Sequence, residues 1–452
     1  MLYEFLVSNK KRDNYPFHMP GHKQNLAFLP LGFNFLEMDI TEIPGSDNLH
    51  SPKGLIRDAQ QKMSLLCGAN ASFMLVNGSS CGVMAAILSV CADGDEIIMA
   101  RNSHISAYHA LLLSGAKPVY IAPEFTEYGL PYQISTKKLE EALLAHPRCK
   151  AVFVTSPTYE GFCSPIKEIA DLVHQNGKIL IVDEAHGAHF GLHSYFPPSA
   201  NTLGADLVIQ SLHKTLAVPN QCALLHVNNN AVDEELLKRI LSMLQTTSPS
   251  YILLAMMEQA AEALLYKPHL LMDPYVSLLQ HFREGMANCK AIRLLSEKNM
   301  DLGKLVFLLQ TSDISAKGLY TILAEKYGLQ LEMAGFNHVI AMTSYADTHE
   351  GFDLLLRAMQ LLDKDLNFST NFTTIKLGNK IPKQILLPKE AYRKKRMRVL
   401  PEQAMYQISG DFVVPYPPGI PLLAPGEEIG PHTLEELTKL GLGKEGIIVC
   451  SS

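Results

Sequence analysis

Between residue 54 and about residue 230 the chain alternates short apolar runs with helical stretches. This alternation restricts the possible folds more than any other feature. FMLV (73–76), EIIMA (96–100), PVYIA (118–122), AVFVTS (151–156), KILIVD (178–183), DLVIQS (206–211) and CALLHV (222–227) have the length and composition of strands. LIRDAQQKMSLLCGA (55–69) predicts a helix with Leu55, Ala59, Met63 and Leu66 on one stripe. CGVMAAILSVCA (81–92) and SPIKEIADLVHQNG (164–177) predict two more. Such an order implies an α/β fold with a mostly parallel sheet covered on both faces.

Beyond residue 230 the pattern is helical to about residue 290. A second α/β unit follows, with strands at 304–311 and 338–344 and helices at 317–328 and 352–364. The expected organisation is an arm over 1–50, a large domain over 51–294 and a smaller domain over 295–452. The arm is rich in Pro and Gly, which leaves little room for long helices. KEAYRKKRMR, within 381–398, reads as a solvated helix face.

Composition narrows the function classes. Lys and Arg number 39 against 45 Asp and Glu, a net charge of −6, which argues against a nucleic-acid binder. The eight cysteines show no C-x-x-C spacing, so a reducing compartment fits better than a disulfide framework. No run approaches the ~18 apolar residues of a membrane span. The N-terminus lacks the apolar stretch of a signal peptide. The expectation is a cytoplasmic protein, with small molecules and protein partners both open.

Four positions carry chemistry, and each also has an ordinary reading. Lys214 directly follows the run 206–211, and ligands bind at strand ends of open parallel sheets. Burial there would lower its pKa and make it an amine nucleophile; otherwise it is a surface lysine. Asp183 ends another strand, where a carboxylate needs a cationic partner such as a protonated pyridine. Glu184, His186 and His189 beside it raise a metal site, but no helix fixes their geometry, so none is expected. Gly78, Ser79 and Ser80 lie between a strand and a helix. They form either an anion site or a simple N-cap. His104 is either a loop histidine or a ring stacked on a flat cofactor. Phosphate cradle, stacking ring, Asp and then Lys, each after a strand, is the order expected for pyridoxal phosphate held on a lysine.

HMPGHK (18–23), DITEIPGSDNLHSPKG (39–54), NGSSCGVMAAI (77–87), DEAHGAH (183–189), SLHKTLA (211–217) and PYPPGIPLLAPGE (415–427) together resemble the bacterial ornithine/lysine/arginine decarboxylase family. This is a fold-type-I pyridoxal 5'-phosphate family. The resemblance implies a large cofactor-binding domain with a mostly parallel sheet and a smaller C-terminal domain. It implies that Lys214 is the Schiff-base lysine and Asp183 the partner of the pyridine nitrogen. His104 is implied as the stacking ring, with Ala185 against the opposite cofactor face and His186 beside it. Gly78, Ser79, Ser80, Ser211 and His213 are implied on the phosphate side. Lys214 or His213 is implied as the group that returns a proton to Cα. The motifs begin at residue 18, so the receiver-like N-terminal domain of the largest members is not expected. AVPNQ (217–221) departs from the Leu- and Thr-richer sequence expected after the lysine.

The implied reaction is decarboxylation of a basic amino acid in polyamine metabolism, arginine to agmatine first and lysine to cadaverine a close second. A homodimer or an assembly of dimers is expected, with no nucleic-acid or membrane partner. The substrate's distal cation needs a carboxylate, and Glu42, Asp47, Glu427 and Glu428 are the candidates within the motifs. Two alternatives share the fold. An aminotransferase would place an Arg on the substrate carboxylate, for which 393–398 is the one rich source. A catalytically silent homologue would lack Lys214 or Asp183, and both are present.

Overall fold

A seven-stranded sheet forms the centre of the large unit. Its strands are β1 (Ala71–Leu75), β2 (Glu96–Ala100), β3 (Lys117–Ile121), β4 (Ala151–Thr155), β5 (Ile179–Asp183), β6 (Leu207–Gln210) and β7 (Ala223–Val227). They lie in the order β1-β7-β6-β5-β4-β2-β3. The pairs β2–β3, β2–β4, β4–β5 and β5–β6 are parallel. Only β7 runs backwards, antiparallel to both β6 and β1. The expected α/β fold with its mostly parallel sheet is therefore present. This is a computed structural model, and it describes residues 2–10, 14–30, 34–369, 380–415 and 419–451.

The central strands are apolar along their whole length because helices cover both faces. Leu180, Ile181 and Val182 of β5 are fully buried, as are Leu207, Val208 and Ile209 of β6. The helix Leu55–Cys67 buries Ala59 and Met63 of the expected stripe, with Leu66 half-buried against the same core. Leu55 departs from it and lies in solvent, with Ile56 buried in its place. Asp47 holds the helix start. Its carboxylate accepts from the backbone N–H groups of Lys53, Gly54 and Ile56, which fixes where the first turn begins.

A second, antiparallel sheet holds β8 (Ile292–Leu294), β9 (Lys304–Leu309), β10 (Met333–Ala334) and β11 (His338–Met342), in the order β10-β11-β9-β8. Strand β8 thus precedes residue 295, where the smaller domain was expected to begin. Residues 295–452 also hold an apolar cluster of their own, built around Leu422, Leu423, Ile429, Leu437 and Val449. There Arg396–Val399 pairs with Ile447–Cys450. The Arg-rich stretch is helical only over Pro388–Arg393 and then becomes a strand, because Met397 and Val399 face a partner strand. Its Arg393, Arg396 and Arg398 are exposed.

The arm is less irregular than its Pro and Gly content suggests. Leu2–Lys10 is a nine-residue helix. Tyr15–Phe17 pairs in parallel with Leu329–Leu331 as a separate two-stranded sheet, which ties the arm to the segment just before β10. The eight cysteines are free.

Candidate active site

The carboxyl ends of β1, β2, β4, β5 and β6 open on one cavity of about 550 Å³. Ligands of open α/β sheets bind in this position. After β1 the chain turns at Gly78, whose φ of 72° is a conformation side chains rarely adopt. The helix then runs Gly78–Val90, so it starts before residue 81, where the apolar pattern placed it. Ser79 and Ser80 stand inside the first turn and are not caps. The N-cap is Asn77, whose side chain makes no capping bond. The N–H of Gly78 donates to Gln221 O. The N–H groups of Ser79 and Ser80 have no helix carbonyl to reach, and both residues line the cavity, which makes an anion site.

Two further atoms call for a polar ligand in the cavity. Asn102 Oδ1 and Thr155 Oγ1 lie on the cavity wall, are buried, and have no hydrogen-bond partner. Burying an unpaired polar atom costs on the order of 1–3 kcal/mol, so such atoms on a cavity wall fit a polar ligand.

His104 caps the helix Ile105–Ser114, its Nδ1 accepting from Ser106 N. The ordinary reading of this residue is therefore correct for the nitrogen, and the same bond fixes the ring in the cavity wall. Burial and the nearby Lys214 charge push its pKa down to about 4, so the ring is neutral. His213 is likewise held at about 4 by burial, and its Nδ1 donates to Cys222 O.

Asp183 closes β5 and is buried, with one donor, Ala185 N, at 3.1 Å. Burial raises its pKa, and the Lys214 charge opposes that. Lys214 stands on the one-turn helix Leu212–Thr215, whose N-cap is Ser211. Burial lowers its pKa, and Asp183 and Glu332 oppose that. Ser211 Oγ donates to Ser79 Oγ at 2.6 Å, which joins the lysine turn to the helix terminus. Ser211 itself is not on the cavity surface, whereas Ala185, His186, His213 and Lys214 are. Glu184 turns away. Its carboxylate accepts from Ser199 Oγ, Ala200 N and Gln210 Nε2. His189 pairs with Asp301, so these residues do not converge with His186.

HMPGHK supports the lysine turn from outside the large sheet. Gly21 N donates to His213 O at 2.7 Å, and a Cβ at Gly21 would stand 2.6 Å from Leu216 O. Only glycine allows this approach. Lys23 is buried and donates to His18 O and Met342 O, which locks the segment to β11.

None of the four carboxylates expected to read the substrate lines the cavity. Asp47 is bound to a helix start and is held down at about 2 by its backbone donors. Glu427 is fully buried against Arg101, 3.0 Å away. Glu42 and Glu428 lie elsewhere. The cavity carboxylate is instead Glu332, which the motifs missed. Its Oε1 accepts from Tyr159 OH at 2.6 Å and its Oε2 from Met19 N at 2.9 Å. The sequence signal was faint: Glu332 is a lone acid between two short strands. Part of PYPPGIPLLAPGE, residues 416–418, lies outside the described residues. From the rest of it, Ile420 reaches the cavity.

Comparison with known proteins agrees with this geometry. The family described as "Orn/Lys/Arg decarboxylase, major domain" matches residues 1–335, and "Orn/Lys/Arg decarboxylase, C-terminal domain" matches residues 373–441. An arginine decarboxylase of Bacillus anthracis is 32% identical, covering 97% of this chain and 92% of its own length. A lysine decarboxylase, LdcA, of Pseudomonas aeruginosa is 25% identical over 64% of this chain and 43% of its own length. Among solved structures, lysine decarboxylase A from Pseudomonas aeruginosa superposes with a TM-score of 0.76 at 21% identity, covering 96% of this chain and 75% of that one. The chain belongs to the Orn/Lys/Arg decarboxylase family and is a decarboxylase.

Proposed function

We propose that this chain binds pyridoxal 5'-phosphate and decarboxylates a basic L-amino acid, arginine to agmatine by preference and lysine to cadaverine next. The cavity supports the cofactor. The Ser79–Ser80 helix terminus suits the phosphate, Asp183 the protonated ring nitrogen, and the Lys214 amine the carbonyl carbon. When bound, the cofactor supplies an electron sink for the pair left behind as CO₂ departs.

This chain's residues do the rest. His104, neutral and flat, holds one side of the site, and Ala185 lines the wall near Asp183. Lys214 would hold the cofactor carbonyl carbon through its amine, and a proton on its Nζ, rather than on the neutral His213, would be placed to return to Cα. No arginine is among the described residues that line the cavity. A fixed clamp on the substrate carboxylate, which an aminotransferase needs and a decarboxylase does not, is therefore absent from that lining.

The observation that carries the substrate reading is Glu332, the cavity's second carboxylate beside Asp183. Each oxygen keeps a lone pair free for a basic side chain. The two oxygens suit the guanidinium fork, and the extensive similarity to Bacillus arginine decarboxylases supports arginine. The test is CO₂ release from arginine, lysine and ornithine at equal concentration. Arginine is expected to give the highest kcat/KM. Glu332→Gln is expected to raise KM for the preferred substrate about ten- to hundredfold, the scale of one charged hydrogen bond. An unchanged KM removes Glu332 from substrate reading, and transamination without CO₂ release removes the reaction.

Among the described residues no helix is long and apolar enough to cross a membrane. The arm carries an exposed apolar surface that includes Phe5, Phe35 and Leu36, the last 81% exposed. Large apolar side chains left exposed in this number fit an association site. We take it as the homodimer contact of a cytoplasmic enzyme in polyamine metabolism. Sedimentation at assay concentration is expected to show a dimer or larger, and a fully active monomer would exclude this.

A further inference from the structure

A second buried lysine stands behind the first. Lys304, in β9, is 1% exposed, 90 residues from Lys214 in sequence. One imidazole lies between them. Lys304 Nζ is 2.6 Å from His186 Nδ1, and His186 Nε2 is 3.1 Å from Lys214 Nζ. Lys304 also donates to Tyr159 O at 3.0 Å, and the Tyr159 ring packs edge-on against His186.

Counting protons restricts what this row can be. A neutral imidazole has one donor nitrogen and one acceptor nitrogen. His186 is kept neutral above all by burial, and a positive charge on either lysine beside it acts in the same direction. It therefore cannot accept from two ammonium groups at once. A donor at Nδ1 places the ring proton on Nε2, and Lys214 must then accept it with a lone pair.

We propose that Lys304 is a positioning residue that fixes His186 in the Nε2–H form and so holds Lys214 as the unprotonated amine. This rests on the reading of Lys214 as the cofactor lysine. Asp183 and Glu332 face Lys214 and oppose its neutral form. Burial, helped by any charge on Lys214, brings Lys304 down to about 8, and Asp301, Glu332 and Glu160, which face it, oppose that. The row consequently works below about pH 8 and is lost as pH rises through that value, when Lys304 stops being an obligatory donor.

The test uses the protein freed of cofactor. The rate of covalent capture of added pyridoxal phosphate, fixed with borohydride and read by intact mass, is followed against pH. Lys304→Met is expected to move the rising limb of capture upward by about one pH unit, because Lys214 can then protonate and donate to Nε2. Lys304→Arg keeps a permanent donor and is expected to retain the low limb. Imidazole ¹⁵N shifts, assigned to His186 with His186→Asn, are expected to show the Nε2–H tautomer in the parent and its loss in Lys304→Met. An Nδ1–H tautomer in the parent overturns the proposal. So does a Lys304→Met capture profile that matches the parent's. A parent that never captures pyridoxal phosphate would instead overturn the cofactor reading, with the tautomer still readable.

Discussion

Replacing Lys214 with alanine will abolish covalent capture of pyridoxal phosphate and lower kcat/KM by about 10⁴-fold or more, the scale on which loss of a covalent nucleophile acts. The expectation follows from position. Lys214 is held by a one-turn helix that is pinned from two sides, by Ser79 through Ser211 and by Gly21 through His213 O. Burial lowers its pKa, which makes the amine available near neutral pH. The substitution removes a buried amine and leaves the fold's apolar clusters untouched, so the variant should fold. Lys304 is the demanding control, because a second amine lies just beyond His186. If the borohydride-fixed adduct persists in Lys214→Ala and maps to Lys304, the assignment of the nucleophile is wrong.

Arg101→Met is expected to cost about 3–5 kcal/mol of stability, the scale of breaking a buried ion pair by removing one partner. Arg101 follows β2 and is 4% exposed at its side chain, and its partner Glu427 is fully buried. The guanidinium also donates to Leu422 O, and Ile105 N donates to Gly419 O. These bonds tie the segment 419–427 to the turn that carries Asn102 and His104. The variant should therefore lose affinity for the cofactor as well as stability. The pH dependence has a defined sign. Burial already raises the Glu427 pKa against the opposing pull of Arg101. Without Arg101 it rises further, and a carboxyl with a raised folded pKa destabilises more as pH increases past its unfolded value. The deficit is thus expected to shrink from pH 8 toward pH 5 in thermal or denaturant unfolding. Glu427→Leu added to Arg101→Met should recover much of the loss. A deficit that grows on acidification would show that Glu427 is not the cause.

The sheet was legible in the sequence because strands buried on both faces are apolar throughout, a local signal that needs no partner to be read. The residues at its strand ends were legible for a related reason. Asp183 ends a strand, and Gly78, His104 and Lys214 lie within four residues of a strand end; a parallel sheet brings such ends together whatever else the chain does. Other features depended on contacts between distant segments. The start of the helix from Leu55, where Leu55 is exposed and Ile56 buried, is held by the Asp47 carboxylate, whose acceptor role a periodicity cannot show. The helix from Gly78 begins early because a left-handed glycine lets it, beneath an apolar pattern that starts later.

The carboxylates show the division most clearly. By sequence alone, Asp47 and Glu427 stood in motifs and Glu332 did not. Tertiary packing gave Asp47 to a helix start and Glu427 to Arg101, and it brought Glu332 to the cavity through the second sheet. Lys304 reached His186 in the same way, from a strand whose neighbours are all apolar. What the chain determined locally was each strand, each turn and the chemistry at the strand ends. Which buried charges meet, and which are left facing the cavity, was decided only by the packing of one sheet against another, because an ion pair in the interior is set by distance in space.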